Sequence, residues 1–291
     1  MLYSIRLRIS YDYDAPADVG RHLLRVLPAS IPGVQEVRSA RLTCRPLAAE
    51  QGDRRDFFGN ICTEVAYRDP LEATEFEMLA EVERFEGGPG LDVSPPTERL
   101  ARQIAELPSL AGEAPQGYLP PSPRVPHVPE IADWAKAAVA GAESTFARVL
   151  ALTRALHRDM AFDATATMVD TPLDEAFALR RGVCQDFTHI QICALRSLGI
   201  PAGYVSGFLR TLPPEGQERL EGADAMHAWV RAWCGKDMGW VEVDPTNDML
   251  AGTDHVVIAR GRDYFDVAPV KGSMRLAGGQ RTSQGVDMVA V

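Results

Sequence analysis

The chain has 291 residues, 46% of them hydrophobic and 24% charged, with 40 acidic against 30 basic side chains and a formal net charge of −10. These proportions exclude a largely disordered or fibrous chain. The acidic balance, with no basic cluster to offset it, argues against a nucleic-acid partner, whose affinity rests on Lys and Arg displacing counterions from phosphates.

At ~150 residues per domain the length suggests about two domains, and a chain of this size buries roughly 75% of its unfolded surface, so its core needs neither disulfides nor metal. The longest apolar runs fall far short of the ~20 residues of a membrane helix, and Met1–Arg6 alternates polar with apolar instead of forming a signal-peptide core. Five cysteines, Cys44, Cys62, Cys184, Cys193 and Cys234, are an odd number without any C-x-x-C pair. A reduced compartment with at least one free thiol follows. The expectation is a soluble cytoplasmic protein with no membrane contact, no cofactor and no metal.

Residues 1–86 read as strands. Tyr3, Ile5, Leu7 and Ile9 alternate with polar neighbours, as do Phe76, Met78, Ala80 and Val82, which predicts half-buried strands of an antiparallel sheet. With shorter runs at 23–27, 34–47 and 61–67 between them, the region reads as a small β-sandwich. Ten of the 21 prolines fall between Pro89 and Pro129, which places a linker at 87–130. One helix interrupts it, with Thr97 as its cap and Leu100, Ile104 and Leu107 on one face.

The third unit, 131–291, starts with helical periodicity. Phe146, Val149, Leu150, Thr153, Leu156, His157 and Met160 recur at three- and four-residue steps. Thr171 and Asp174 have capping-box spacing around Pro172, and a further helix starts near Cys184 and stops at Gly199-Ile200-Pro201. Strands at 202–209, 227–233, 239–244 and 256–259 follow. Helices succeeded by an antiparallel sheet make the fold class α+β.

Two segments carry candidate chemistry. In Gly182-Val183-Cys184-Gln185-Asp186-Phe187 a glycine ends one helix and a cysteine opens the next, facing free N–H groups and the positive end of the helix dipole. A free thiol of pKa ~8.5 is only about 3% ionised at neutral pH, so a site that favours the thiolate makes a nucleophile. Asp186, in the same turn, opposes that ionisation. In the second segment, His227, Trp229 and Trp233 share one face of a strand, and Trp240, Glu242 and Asp244 share one face of the next. A two-residue type II′ turn at Gly235-Lys236 would pair 234 with 237, 231 with 240 and 227 with 244. His227 and Asp244 would then lie directly opposite, ~5 Å apart at Cβ, and the carboxylate would fix the imidazole tautomer.

Other candidates are weaker. Trp229 and Trp240 line a substrate groove or merely cover the sheet. His189 and Cys193 sit four apart on one helix, but no third ligand completes a metal set. His22, His127, His157 and His255 have no partner by spacing.

The segments Gly182–Phe187, His227–Val230 and Gly239–Asn247 together resemble the core of bacterial transglutaminase-like proteins, which place a cysteine on a helix and His and Asp on a sheet in a papain-like arrangement. Pro28, Gln35 and Asp56–Asn60 are similar to the β-rich N-terminal region that accompanies such cores, and Gly261–Gly272 to their C-terminal segment. The resemblance implies Cys184 as nucleophile, His227 as general base and acid, and Asp244 as the orienting carboxylate, acting on a peptide or glutamine-type amide by hydrolysis or amine transfer. The Cys184 backbone N–H is the candidate oxyanion donor. Gln185 follows the cysteine, whereas papain-like proteases place their oxyanion glutamine before it, so that role is not carried over. A silent peptide-binding module using the same cleft, and a zinc hydrolase, are the alternatives.

Overall fold

A computed structural model of the chain describes residues 1–211 and 224–291. In chain order, strands β1 (Leu2–Leu24), β2 (Gln35–Arg45), β3 (Glu50–Arg55), β4 (Ile61–Ala66) and β5 (Leu71–Arg84) come first. Helix α1 (Thr97–Ala105), a 3-10 turn at Pro115–Tyr118, α2 (Pro129–Ala138) and α3 (Thr145–Asp159) follow. Next come β6 (Ala161–Phe162), α4 (Leu173–Leu179), β7 (Arg181–Gly182) and α5 (Cys184–Ser197). The chain then runs through β8 (Ala202–Leu209), β9 (Ala225–Trp233), β10 (Trp240–Asp244), β11 (Met249–Leu250) and β12 (His255–Gly261) to α6 (Tyr264–Val267), β13 (Val270–Arg275) and β14 (Gln280–Ala290).

The first five strands form one strongly curled antiparallel sheet, ordered β2-β5-β1-β4-β3, with β13 and β14 also pairing β1. The 23-residue β1 carries both layers that the alternation predicts. Its first half pairs with β5 and β14, and its second half with β4 and β13. The ladder to β5 shifts register between Asp12 and Ala17, where Pro16 has no N–H to donate and the strand turns from one half to the other. The C-terminal strands, expected alongside the helical core, complete this N-terminal sheet instead. Short-range patterning carries no information about such long-range pairing.

The second sheet is ordered β11-β10-β9-β8-β12, and α5 packs on it among α2, α3 and α4. Ala228, Val230 and Ala232 of β9 join the core with Ile190, Ala194 and Leu195 of α5. The α+β class holds, and among the described residues no helix is long and apolar enough to cross a membrane. Two predicted caps differ in detail. Pro96 takes the position before α1, so Thr97 is its first helical residue, and Pro172 does the same for α4. Thr171 Oγ1 instead accepts from Met168 N–H at 2.8 Å, closing the turn before the helix.

The two sheets are stitched together by amide side chains. Gln35 at the start of β2 brackets Val257 of β12, donating to its carbonyl at 2.8 Å and accepting from its N–H at 2.9 Å. Asn60 does the same for Arg260, donating to its carbonyl and accepting from its N–H, each at 2.8 Å. Each amide supplies both a donor and an acceptor, so it replaces a missing strand neighbour without leaving a buried group unpaired.

Candidate active site

Cys184 is the first residue of α5 and is half-buried, whereas Cys44, Cys62, Cys193 and Cys234 are buried. As the first helical residue its N–H has no intrahelical acceptor. Asp186, suspected from sequence of opposing thiol ionisation, has another task. Its Oδ2 accepts from Val183 N–H at 2.8 Å and from Thr167 Oγ1 at 2.6 Å, so it closes the helix start from behind. This carboxylate is why residue 182 is glycine: a Cβ there would lie 2.4 Å from Asp186 Oδ2. Gln185 donates to Val169 O at 2.9 Å and is likewise committed to structure.

His227 and Asp244 lie on β9 and β10, but the register differs from the predicted one. Trp240 pairs with Trp233, Glu242 with Arg231 and Val243 with Val230. The connection is therefore longer than a two-residue turn. It is closed by Cys234 N–H to Gly239 O at 2.8 Å and Gly239 N–H to Gly235 O at 2.7 Å. Both glycines have positive φ, +102° and +70°, which lets the chain reverse over six residues instead of four. The slip is two residues, so every side chain keeps its face. Asp244 now sits diagonally from His227, within reach of a long side chain, and Asp244 Oδ2 meets His227 Nε2 at 2.7 Å.

With Nε2 taken, Nδ1 is the ring nitrogen left to serve the thiol. The Cys184 sulfur acts on the same ring alongside Asp244. Burial opposes charge on this imidazole, but those two partners outweigh it and push its pKa up to about 10. The arrangement favours an imidazolium between a carboxylate and a sulfur. Tyr204, fully buried on β8, is kept protonated by burial and by the neighbouring sulfur.

Asp244 is fully buried and saturated with donors. Its Oδ1 accepts from the N–H groups of Thr246 (2.9 Å) and Asn247 (3.3 Å), and its Oδ2 also accepts from Asn247 Nδ2 (2.7 Å) and His255 Nε2 (3.2 Å). Burial alone would raise its pKa, yet His227, His255 and Asn247 hold the carboxyl far below the usual carboxylate range. His255, for which spacing offered no partner, is thus in contact with the site. Sequence gives no local signal for it, because β8 and β9 lie between β12 and β10 in the sheet.

Trp229 is fully buried, so it cannot line a groove. Its ring stacks on His227 at 6.2 Å and meets His255 edge-on at 5.1 Å, and its Nε1–H donates to Glu242 at 2.8 Å. It is a floor beneath the imidazole. Trp240 is half-buried. It donates to Glu113 O at 3.1 Å, covers the Arg231 guanidinium at 4.1 Å and lines a cavity of about 460 Å³ with Arg84, Glu113 and Arg260. That cavity does not include Cys184, and neither does the larger one of about 730 Å³, which lies against β1, β3, β4 and β13.

Among the described residues, His227, Asp244 and His255 form the group whose ligand atoms, within 4.8 Å of one another, could hold a metal ion. Each imidazole Nε2 there is already hydrogen-bonded to the carboxylate. His189 and Cys193 do not form a ligand pair. His189 Nε2 accepts from Tyr264 N–H at 3.1 Å, and burial pushes its pKa down to about 3, while Cys193 Sγ turns to Pro126 O.

Residues 132–245 match the transglutaminase-like superfamily core, and residues 3–83 match the bacterial transglutaminase-like N-terminal region. Uncharacterized proteins of Mycobacterium tuberculosis and Mycobacterium bovis are 35% identical over 242 residues, covering 80% of this chain and 74% of theirs. The crystal structure of a candidate cysteine protease from Cytophaga hutchinsonii superposes with a TM-score of 0.76 at 20% identity, covering 99% of this chain and 90% of that one.

Proposed function

From the premise that this chain belongs to the transglutaminase-like superfamily and carries its bacterial N-terminal region, we propose a cysteine-dependent enzyme that forms an acyl-enzyme on a peptide or glutamine-type amide. The observation that carries the reading is the His227 imidazole, bound by Asp244 at 2.7 Å through Nε2 and pushed toward its protonated form by that carboxylate together with the Cys184 sulfur.

In this reading the Cys184 thiolate attacks the amide carbonyl carbon, forming the C–S bond as the carbonyl π pair moves to oxygen. The Cys184 N–H at the start of α5 faces that oxyanion, and the helix dipole adds to its pull. Collapse of the tetrahedral species breaks the C–N bond, and imidazolium His227 gives its proton to the departing amine or ammonia. The now neutral His227 then takes a proton from water or from a second amine as that nucleophile attacks the thioester, and collapse of the second tetrahedral species breaks the C–S bond, releasing the acid or new amide and returning the Cys184 thiolate beside imidazolium His227. Asp244 stays ionised throughout and keeps Nε2 protonated, which leaves Nδ1 for proton transfer.

The test is release of ammonia or amine from glutamine-containing peptides, measured with and without added primary amine. Turnover that requires Cys184, with the added amine incorporated, identifies a transferase. Turnover that requires Cys184 and ignores the amine identifies an amidase or peptidase. If Cys184→Ala binds the same peptides as tightly and the parent chain turns none over, the peptide-binding module is the correct reading.

A further inference from the structure

His255 reaches Asp244 with an imidazole whose tautomer the backbone dictates. Gly252 N–H donates to His255 Nδ1 at 3.2 Å, so that nitrogen holds a lone pair and the ring proton sits on Nε2, which donates to Asp244 Oδ2 at 3.2 Å. The opposite tautomer would set two lone pairs against each other in a fully buried place. Gly252 is in turn held from the N-terminal sheet: Arg84 at the end of β5 donates from Nη2 to its carbonyl at 2.9 Å and from Nη1 to Val34 O at 3.0 Å. The other groups facing the His255 ring are His227, with centroids 6.1 Å apart, and Trp229. A continuous set of contacts therefore runs from Arg84 through Gly252, His255 and Asp244 to His227.

Building on the catalytic reading above, we propose that His255 is a positioning residue: its Nε2–H pins Asp244 Oδ2 in the orientation that serves His227, and the N-terminal sheet, through Arg84 and Gly252, fixes the tautomer that makes this possible. The carboxylate then needs no solvent to stay ionised, and it cannot rotate away from His227 without abandoning a second imidazole. This gives the β-rich N-terminal sheet a share in the chemistry that its distance along the sequence from Cys184 does not suggest.

The test measures alkylation of Cys184 by iodoacetamide from pH 5 to 11, by mass spectrometry of its peptide, in the parent chain and in His255→Phe, His255→Gln, Arg84→Met and Asp244→Asn. The proposal expects His255→Phe to react 10- to 100-fold more slowly near pH 7 but at the parental rate above pH 10, where a thiol ionises without an imidazolium. His255→Gln, which keeps an N–H donor, should stay within about threefold throughout, and Arg84→Met should show the same low-pH deficit in weaker form. Loss of rate at every pH would mark a structural role and overturn the proposal. So would parental rates in His255→Phe at neutral pH, whereas parental rates in Arg84→Met would overturn the part assigned to the N-terminal sheet. If the parent itself reacts no faster than a free thiol at neutral pH, it is the catalytic reading that fails. If Asp244→Asn is slow and His255→Phe is not, only the role of His255 falls.

Discussion

Asp244→Asn tests the electrostatics of the site most directly. The substitution keeps the size of the side chain and its place at the end of β10, but removes the charge beside His227. The shift of the imidazole from 6.5 to about 10 corresponds to about 5 kcal/mol in favour of the protonated ring, at ~1.36 kcal/mol per unit. Burial works against that gain, and Asp244 and Cys184 together outweigh it. Removing the Asp244 share of that gain should cost on the order of 10- to 100-fold in the imidazolium–thiolate pair near neutral pH. Turnover should fall further, toward the ~10⁴-fold seen when a triad carboxylate becomes an amide, because Asn also presents the wrong partner to Nε2–H. The assay is single-exponential alkylation at pH 6.5 with the fold checked by circular dichroism; the four buried cysteines serve as internal controls. A folded Asp244→Asn protein that alkylates within twofold of the parent would refute the reasoning.

Stability should depend on pH with opposite signs at the two partners. The raised pKa of His227 stabilises the fold fully below ~6.5 and ceases to do so as pH climbs through about 10, so Tm should decline across that window and His227→Ala should lose the slope. Asp244, whose pKa is depressed, contributes above the ordinary carboxylate range and is lost on acidification, so Asp244→Asn should flatten the acid limb of the same Tm curve. Gly182→Ala places a methyl 2.4 Å from the Asp186 carboxylate and should cost about 1–3 kcal/mol in urea unfolding while displacing the start of α5, visible as slower Cys184 alkylation. Gln35→Ala leaves the Val257 N–H and C=O unpaired in the interior, a loss of about 2–4 kcal/mol by the same unfolding measurement if the site does not admit water.

Much of this architecture is written locally. Alternation in β1 and β5, the period of α3 and the glycine before Cys184 each follow from a few adjacent residues, and so they were readable. The shared face of His227 and Asp244 was readable because strand parity survives a register error: the β9–β10 connection is two residues longer than expected, yet both side chains keep that face. What escaped prediction depends on distant pairing. His255 meets Asp244 from a strand that two others separate from β10 in the sheet order. The burial of Trp229 depends on Val205 and Val257 from strands elsewhere in the sequence. The partners of Asp186 were also out of reach, since one of them is Thr167, nineteen residues upstream.

The pairing of β1 with β14 has a bearing on how the molecule is assembled. Tyr3 lies opposite Ala290 and Tyr13 opposite Gln280, so one flank of the first strand waits for a partner strand that lies beyond the whole helical core in the chain. Closing so long a loop carries a large entropic penalty and slows formation of the native topology. A fragment cut after the N-terminal strands would display an unzipped, aggregation-prone margin along β1, so the two halves are best regarded as one cooperative body and not as separable modules.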